Sequence, residues 1–174
     1  MIARLGLLGA VWLVTSGSYY SCTAGNSRPL DPGDGSGFTA ILILRDSNGA
    51  ETTSFMFGEP IRFDLNVTNR TDQAVTVHFN DGHQSDFLAV DSGTHNLRWL
   101  WSQGLAFTQA TTEFTFDANS TRTITVTWNG ILANGTQLMP GTYQARGGLV
   151  ASSFPGDPMA ESDMVSPLKG FVVR

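Results

Sequence analysis

Asp81, His83 and Asp86 place two carboxylates and an imidazole close together in the chain, a combination that could share a divalent cation. The same stretch, Asn80 to Gln84, is dense in residues that turns favour, and turn chemistry accounts for these side chains without a metal. No metal and no other cofactor is expected. Ser, His and Asp are all present, yet no Gly-x-Ser-x-Gly elbow or supporting motif points to a hydrolase, and the chain is not expected to be an enzyme. Trp99 and Trp101 stand two residues apart, so on a strand they share a face. They would serve as a buried pair or as a stacking platform for a sugar ring. Asn66, Asn69, Asn119 and Asn134 each begin an Asn-x-Ser/Thr acceptor pattern; their simpler role is local hydrogen bonding at strand ends and turns.

These residues need strands to position them. From Asn96 to Ser102 alternation puts Leu97, Trp99 and Trp101 on one face and Arg98 and Leu100 on the other. Burying a tryptophan there is worth at most roughly 4–6 kcal/mol, which favours the core reading. Ile61 to Val67 alternates as a half-buried strand, and Val75, Val77 and Phe79 repeat the pattern as its expected hairpin partner. Phe38 to Leu44 contains the unbroken run Ile41 to Leu44, typical of a strand covered on both sides. Further strands are expected at Phe87–Val90, Phe114–Phe116, Thr123–Trp128, Gly141–Ala151 with a bulge at Gly147 and Gly148, and Gly170–Val173. Ser152 to Pro167 reads as a long irregular loop. About eight or nine short strands without helical periodicity predict an all-β, immunoglobulin-like antiparallel β-sandwich; a jelly roll or barrel satisfies the same pattern.

Composition narrows the function classes. Only 14% of the 174 residues are charged, and glycine is plentiful at 19, a balance suited to strands and turns. Residues 1–21 read as an export signal, with Arg4 as the positive end and Leu5 to Val14 as an apolar run too short to span a bilayer. Removing them leaves nine basic against fifteen acidic residues, so nucleic acid is not an expected partner. Ser16 and Ser18 suit ordinary cleavage before Tyr19. The single Cys22 resembles the lipid-acceptor cysteine of bacterial lipoproteins, although Tyr19 and Tyr20 stand where an aliphatic and a small residue are usual and only Ser21 fits. The expected organisation is a signal peptide at 1–21, a flexible tether at 22–37 carrying Pro29 and Pro32, and a folded domain at 38–174. The expected location is outside the cytoplasm, either anchored to a membrane through Cys22 alone or free in the periplasm or medium.

The ordered set Phe63 to Asn69, Asp86-Phe87, Trp99-Leu100-Trp101-Ser102, Phe107-Thr108-Gln109-Ala110, Trp128 and Pro140-Gly141-Thr142-Tyr143 resembles the BsuPI family, the bacterial intracellular proteinase inhibitor domain, over roughly Phe57 to Ala151. Ser85 and Leu100 stand where that family often has Tyr and Arg. The resemblance implies a small all-β inhibitor of a subtilisin-like serine protease, while the export signal implies a target outside the cell's interior. A substrate-mimicking inhibitor presents an extended loop with an exposed apolar residue. Two loops qualify: 130–139 with Ile131, Leu132, Leu138 and Met139, and 152–166 with Phe154, Met159 and Met164. The leading expectation is a non-enzymatic protein-binding domain of the bacterial cell envelope that contacts a serine protease. An assembly module binding another envelope protein through a sheet edge, and a carbohydrate-binding domain using Trp99 and Trp101, are the alternatives.

Overall fold

The computed structural model describes residues 37–150 and 162–174, and it forms them into ten strands with no helix among those residues. In chain order these are β1 (Phe38–Arg45), β2 (Ser54–Phe55), β3 (Ile61–Asn69), β4 (Val75–Phe79), β5 (Ser85–Asp91), β6 (Leu97–Leu100), β7 (Thr112–Phe116), β8 (Thr121–Trp128), β9 (Gly141–Leu149) and β10 (Lys169–Val173). One sheet has the order β1-β3-β8 and the other β2-β10-β9-β5-β6, with β4 and β7 paired as a separate ribbon. All pairs are antiparallel except β2 beside β10. A three-stranded face opposed by a sheet with β9 at its centre and a parallel strand at its rim is the strand order of an immunoglobulin-like sandwich. The two-residue β2 escaped prediction because so short a strand carries no period.

Alternation explains the core. Phe38, Ala40, Leu42 and Leu44 of β1 and Ile61, Phe63, Leu65 and Val67 of β3 point inward against Phe55, Phe87, Ala89, Tyr143, Ala145, Phe171 and Val173. Phe63 sits at the centre, with its ring against Phe87 (6.1 Å), Trp99 (5.2 Å) and Trp128 (6.5 Å). β1 is an edge strand covered on one side, so Ile41 is 55% exposed despite the apolar run around it. β5 is the strand covered on both faces. Its outward Leu88 and Val90 pack with Val165, Leu100 and Leu168 in a second, smaller cluster.

Two further expectations are corrected by the register. The β5–β9 ladder runs unbroken through Gly147 and Gly148, so β9 has no bulge against β5. A Cβ at Gly147 would stand 2.8 Å from the Phe87 ring, and the glycine is there to admit that ring. β3 lies between β1 and β8 and does not pair with β4; β4 pairs with β7 instead. The β3/β8 ribbon therefore continues past a corner into the β4/β7 ribbon.

Asn69 holds that corner. It is fully buried, and its Nδ2 donates to the carbonyls of Gln73 (2.7 Å), Asp117 (3.1 Å) and Phe116 (3.3 Å). Its Oδ1 accepts from Thr71 N (3.0 Å) and Thr71 Oγ1 (2.7 Å). One side chain thus satisfies backbone groups on both strands that the ladder can no longer pair.

The outer face of the three-stranded sheet is fastened at Asp64, 4% exposed. It accepts from Arg45 Nε (2.8 Å), Arg62 Nε (2.8 Å), Arg62 Nη2 (3.0 Å) and Thr125 Oγ1 (2.8 Å), so one carboxylate ties β1, β3 and β8 together. Burial works against its charge, but the bonds from Arg62, Thr125 and Arg45 outweigh that cost and hold the carboxyl below its ordinary value of 3.8. A depressed folded-state pKa gives stability that is complete above the unfolded value and lost as pH falls through the folded one. In melting curves taken from pH 6 to pH 2.5, the wild type should lose stability most steeply below about pH 3.8, and Asp64→Asn should flatten that part of the profile. Equal slopes would show that Asp64 is not the group responsible.

Candidate binding surface

The strand directions give the sandwich two poles. The described chain enters at Phe38, whose pole also holds Asn69, Ser85 and Leu149. The opposite pole gathers the ends at Arg45, Ile61, Asp91, Gly141 and Val173, with the connections 46–53, 56–60, 92–96 and 129–140. Five of the seven exposed large apolar side chains among the described residues lie there: Met56 (66%), Met139 (65%), Phe57, Leu97 and Ile131. Gly141, Val173 and Phe55 form one row across β9, β10 and β2, which sets the 56–57 and 139–140 segments roughly 10 Å apart, two strand spacings. The result is an apolar crest at the pole farthest from the point of chain entry.

The 129–140 connection is a closed hairpin. Leu132 N donates to Thr136 O (2.8 Å), Gly135 N to Leu132 O (2.9 Å), and Leu138 N to Gly130 O (2.7 Å), while Ile131 and Gln137 bridge across it. Asn134 accepts from Thr136 N and Oγ1, and Gly135 takes the positive φ of 81° that the turn needs. The four residues expected to share a reactive loop separate by burial. Leu138 is 3% exposed and belongs to the core, Leu132 is half-buried against it, and Ile131 and Met139 face outward. The tight Leu132–Thr136 turn cannot present an extended substrate-like backbone, and of the two outward apolar residues that flank it Met139 is the more exposed, at 65% against 38% for Ile131.

Met139 is held on both sides. Leu138 before it is a buried anchor, Pro140 after it fixes the backbone, and Tyr143 donates its hydroxyl to the Met139 carbonyl at 2.8 Å. This tie from the start of β9 back to the preceding loop is the tyrosine corner of immunoglobulin-like sandwiches. Burial pushes the Tyr143 phenol above its ordinary pKa of 10.0, so it stays a donor in neutral solution. Beside it, Asp91 accepts from Gly93 N and Thr94 N (both 3.1 Å) and meets Arg98 Nη2 at 3.3 Å, which closes the 92–96 turn next to Leu97. Bonds from Thr94 and then Gly93 hold the Asp91 carboxyl below its usual range.

A groove of about 340 Å³ runs from the crest down the β6 edge, lined by Trp99, Leu100, Trp101, Gly104, Ile131 and Leu132 among others. Trp99 stacks on Trp128 at 4.7 Å and 11°, and Trp128 Nε1 donates to Ile131 O (2.8 Å). Trp101 lies edge-on to Phe87 (6.4 Å) and beside Phe107 (5.9 Å). Both tryptophans are half-buried and packed against the core, with the broad face of Trp99 already covered by Trp128. Leu100, which stands where the family often has Arg, packs half-buried on Leu88 and Val90.

Asp81, His83 and Asp86 form a turn and a clasp. Asp81 accepts from His83 N (2.7 Å). Asp86, with no exposed surface, accepts from Phe87 N (2.8 Å), Ser102 N (3.2 Å) and the Ser102 hydroxyl. His83 Nε2 lies 3.0 Å from Asp86 Oδ2, off the line of an N–H bond, and its ring stacks on Phe107 at 4.3 Å. The carboxylate stands between serine and histidine, so in this grouping the imidazole has no route to the hydroxyl proton. Among the described residues no group of three His, Cys, Asp or Glu could hold a metal. Cys22, Phe154 and Met159 lie outside the described residues. Met164, counted with the second loop, is 1% exposed and part of the core.

Met56 and Phe57 carried no functional reading in the sequence. The only trace was an apolar run from Phe55 to Phe57 cut off by Gly58-Glu59-Pro60, with no period to show which members were buried.

Comparison with known proteins gives one family. The model described as BsuPI, intracellular proteinase inhibitor, matches residues 37–154. No curated protein matches the chain. Several solved structures resemble it at low identity. A β-glucosidase from Listeria innocua in complex with gluconolactone is 13% identical over 77% of this chain (TM-score 0.39). The alkylpurine DNA glycosylase AlkC of Pseudomonas fluorescens is 12% identical over 79% (TM-score 0.46). The CARDB domain of PF1109 from Pyrococcus furiosus is 12% identical over 78% of this chain and 95% of its own (TM-score 0.37). The chain spans 16% of the length of the Listeria β-glucosidase and 30% of that of the glycosylase.

The hydroxyl that fixes Met139 can be removed alone. Tyr143→Phe should lower the free energy of unfolding by about 1 kcal/mol and speed hydrogen exchange in 138–141, read by urea melts and amide exchange. Unchanged exchange there would mean that the hairpin is held without the tyrosine.

Proposed function

Because the chain belongs to the BsuPI family of intracellular proteinase inhibitors, we propose that it is a proteinase-inhibitor-like protein that seats its apolar crest on a serine proteinase. The observation that carries this reading is Met139. A 65%-exposed apolar side chain on a backbone fixed by Leu138, Pro140 and Tyr143 loses little conformational freedom on docking, which is what a rigid binding loop needs. Met56, Phe57, Leu97 and Ile131 supply the surrounding apolar contact, as the rim around a central residue does in tight interfaces. The chain acts by contact and not by catalysis.

The proposal extends to location. Residues 1–21 direct export, Cys22 carries a lipid anchor, and 22–37 tether the domain. Phe38 lies at the pole opposite the crest, so an anchor through the leading residues leaves the crest free to face away from the membrane. The partner is then a proteinase outside the cytoplasm. A second reading, pairing with another envelope protein, is supported by β8, an eight-residue strand whose only ladder among the described residues is with β3.

Neighbouring residues of the hairpin separate binding from folding. Met139→Asp should weaken inhibition of a secreted subtilisin-like proteinase by roughly 30-fold or more, a hot-spot loss of about 2 kcal/mol, with the melting temperature nearly unchanged. Leu138→Asp buries a charge and should destabilise the fold by about 3 kcal/mol or more. A Met139→Asp protein that inhibits like wild type would place the contact elsewhere.

A further inference from the structure

The two most exposed large apolar side chains among the described residues, Met56 at 66% and Met139 at 65%, are both methionines, and both stand on the crest. Met164, by contrast, is 1% exposed inside the core. A thioether so placed is open to peroxides, whereas a buried one is shielded. In the reaction the sulfur lone pair attacks one peroxide oxygen and the O–O bond breaks. The sulfur becomes a sulfoxide, and the other oxygen leaves with both protons as water. Sulfur loses two electrons and hydrogen peroxide gains them. The product side chain is polar and carries a strong acceptor oxygen, so a surface that works by excluding water loses its main apolar contributors.

We propose that Met56 and Met139 form an oxidation-sensitive modification site, and that sulfoxide formation there releases the bound proteinase. This rests on the crest being the contact surface. The geometry favours an effect on binding and not on folding. The Met139 backbone is held by Leu138 N to Gly130 O and by Tyr143 to the Met139 carbonyl, neither of which involves the sulfur. The buried anchors of the hairpin, Leu138 and Trp128, carry no sulfur at all. A change at the two thioethers therefore alters the chemistry of the crest while its frame stays in place.

The test treats the full chain with hydrogen peroxide, maps sulfoxides by mass spectrometry, and measures inhibition of a secreted subtilisin-like proteinase after the oxidant is removed. Met56 and Met139 should oxidise well before Met164. Inhibition should fall at least tenfold and return when methionine sulfoxide reductases are added. The M56L/M139L protein, whatever its starting inhibition constant, should show the same constant before and after peroxide. Unchanged inhibition by wild-type protein carrying both sulfoxides would overturn the proposal, as would an equal loss in the double variant or oxidation of Met164 as early as Met139. Failure of the contact reading is distinguishable: untreated Met139→Asp and Met56→Asp proteins would then inhibit like wild type, before any oxidant is added.

Discussion

A chain with one cysteine cannot tie its own corners with a disulfide, and in this sandwich the burden falls on buried side-chain hydrogen bonds, most heavily at Asn69. The β3/β8 ribbon has to leave its ladder and re-form as β4/β7, and at the change both strands release backbone groups from the ladder beside the fully buried Asn69 side chain. Asn69 meets them with both ends of its amide. Asp64 and Asp86 repeat the solution elsewhere, the first across three strands of one sheet and the second between β5 and the turn after β6. Each is an acceptor with its partners around it, and each would be costly to leave unpaired.

This division of labour also decides where function can reside. The family-like residues Asp86, Phe87, Trp99, Trp101, Ser102, Phe107 and Tyr143 make the clasp, the aromatic stack and the tyrosine corner. They are framework. What they hold in place is a pole of short connections carrying exposed Met, Phe, Leu and Ile side chains, where an apolar surface costs stability unless something covers it. Ile131 joins the two regions, since its carbonyl takes the Trp128 indole bond while its side chain stands outside.

Much of the frame was legible in the chain. Alternation placed β3 and β4 within two residues of their ends and identified Phe63 and Val77 as core, because a period of two with one dry face leaves little freedom. Pairing was less legible. Val75 to Phe79 read as a hairpin partner for β3 because the turn between them is short, but Asn69 uses that turn to change ribbons, and no local pattern announces a side chain that bonds across 47 residues. The apolar run in β1 suggested cover on both faces, whereas an edge position exposes Ile41. For the candidate surface, the 130–139 loop was identified, but Ile131, Leu132, Leu138 and Met139 look equivalent in sequence. Only the Leu138 to Gly130 bond and the tyrosine corner show which points inward.

The central claim, that the pole opposite the chain entry is the contact surface, is tested most directly by methyl NMR with labelled methionines during titration with an active-site-blocked subtilisin-like proteinase. The account predicts that the Met56 and Met139 methyl resonances shift or broaden while that of the buried Met164 stays in place. Unmoved Met56 and Met139 signals in a complex that demonstrably forms would contradict it.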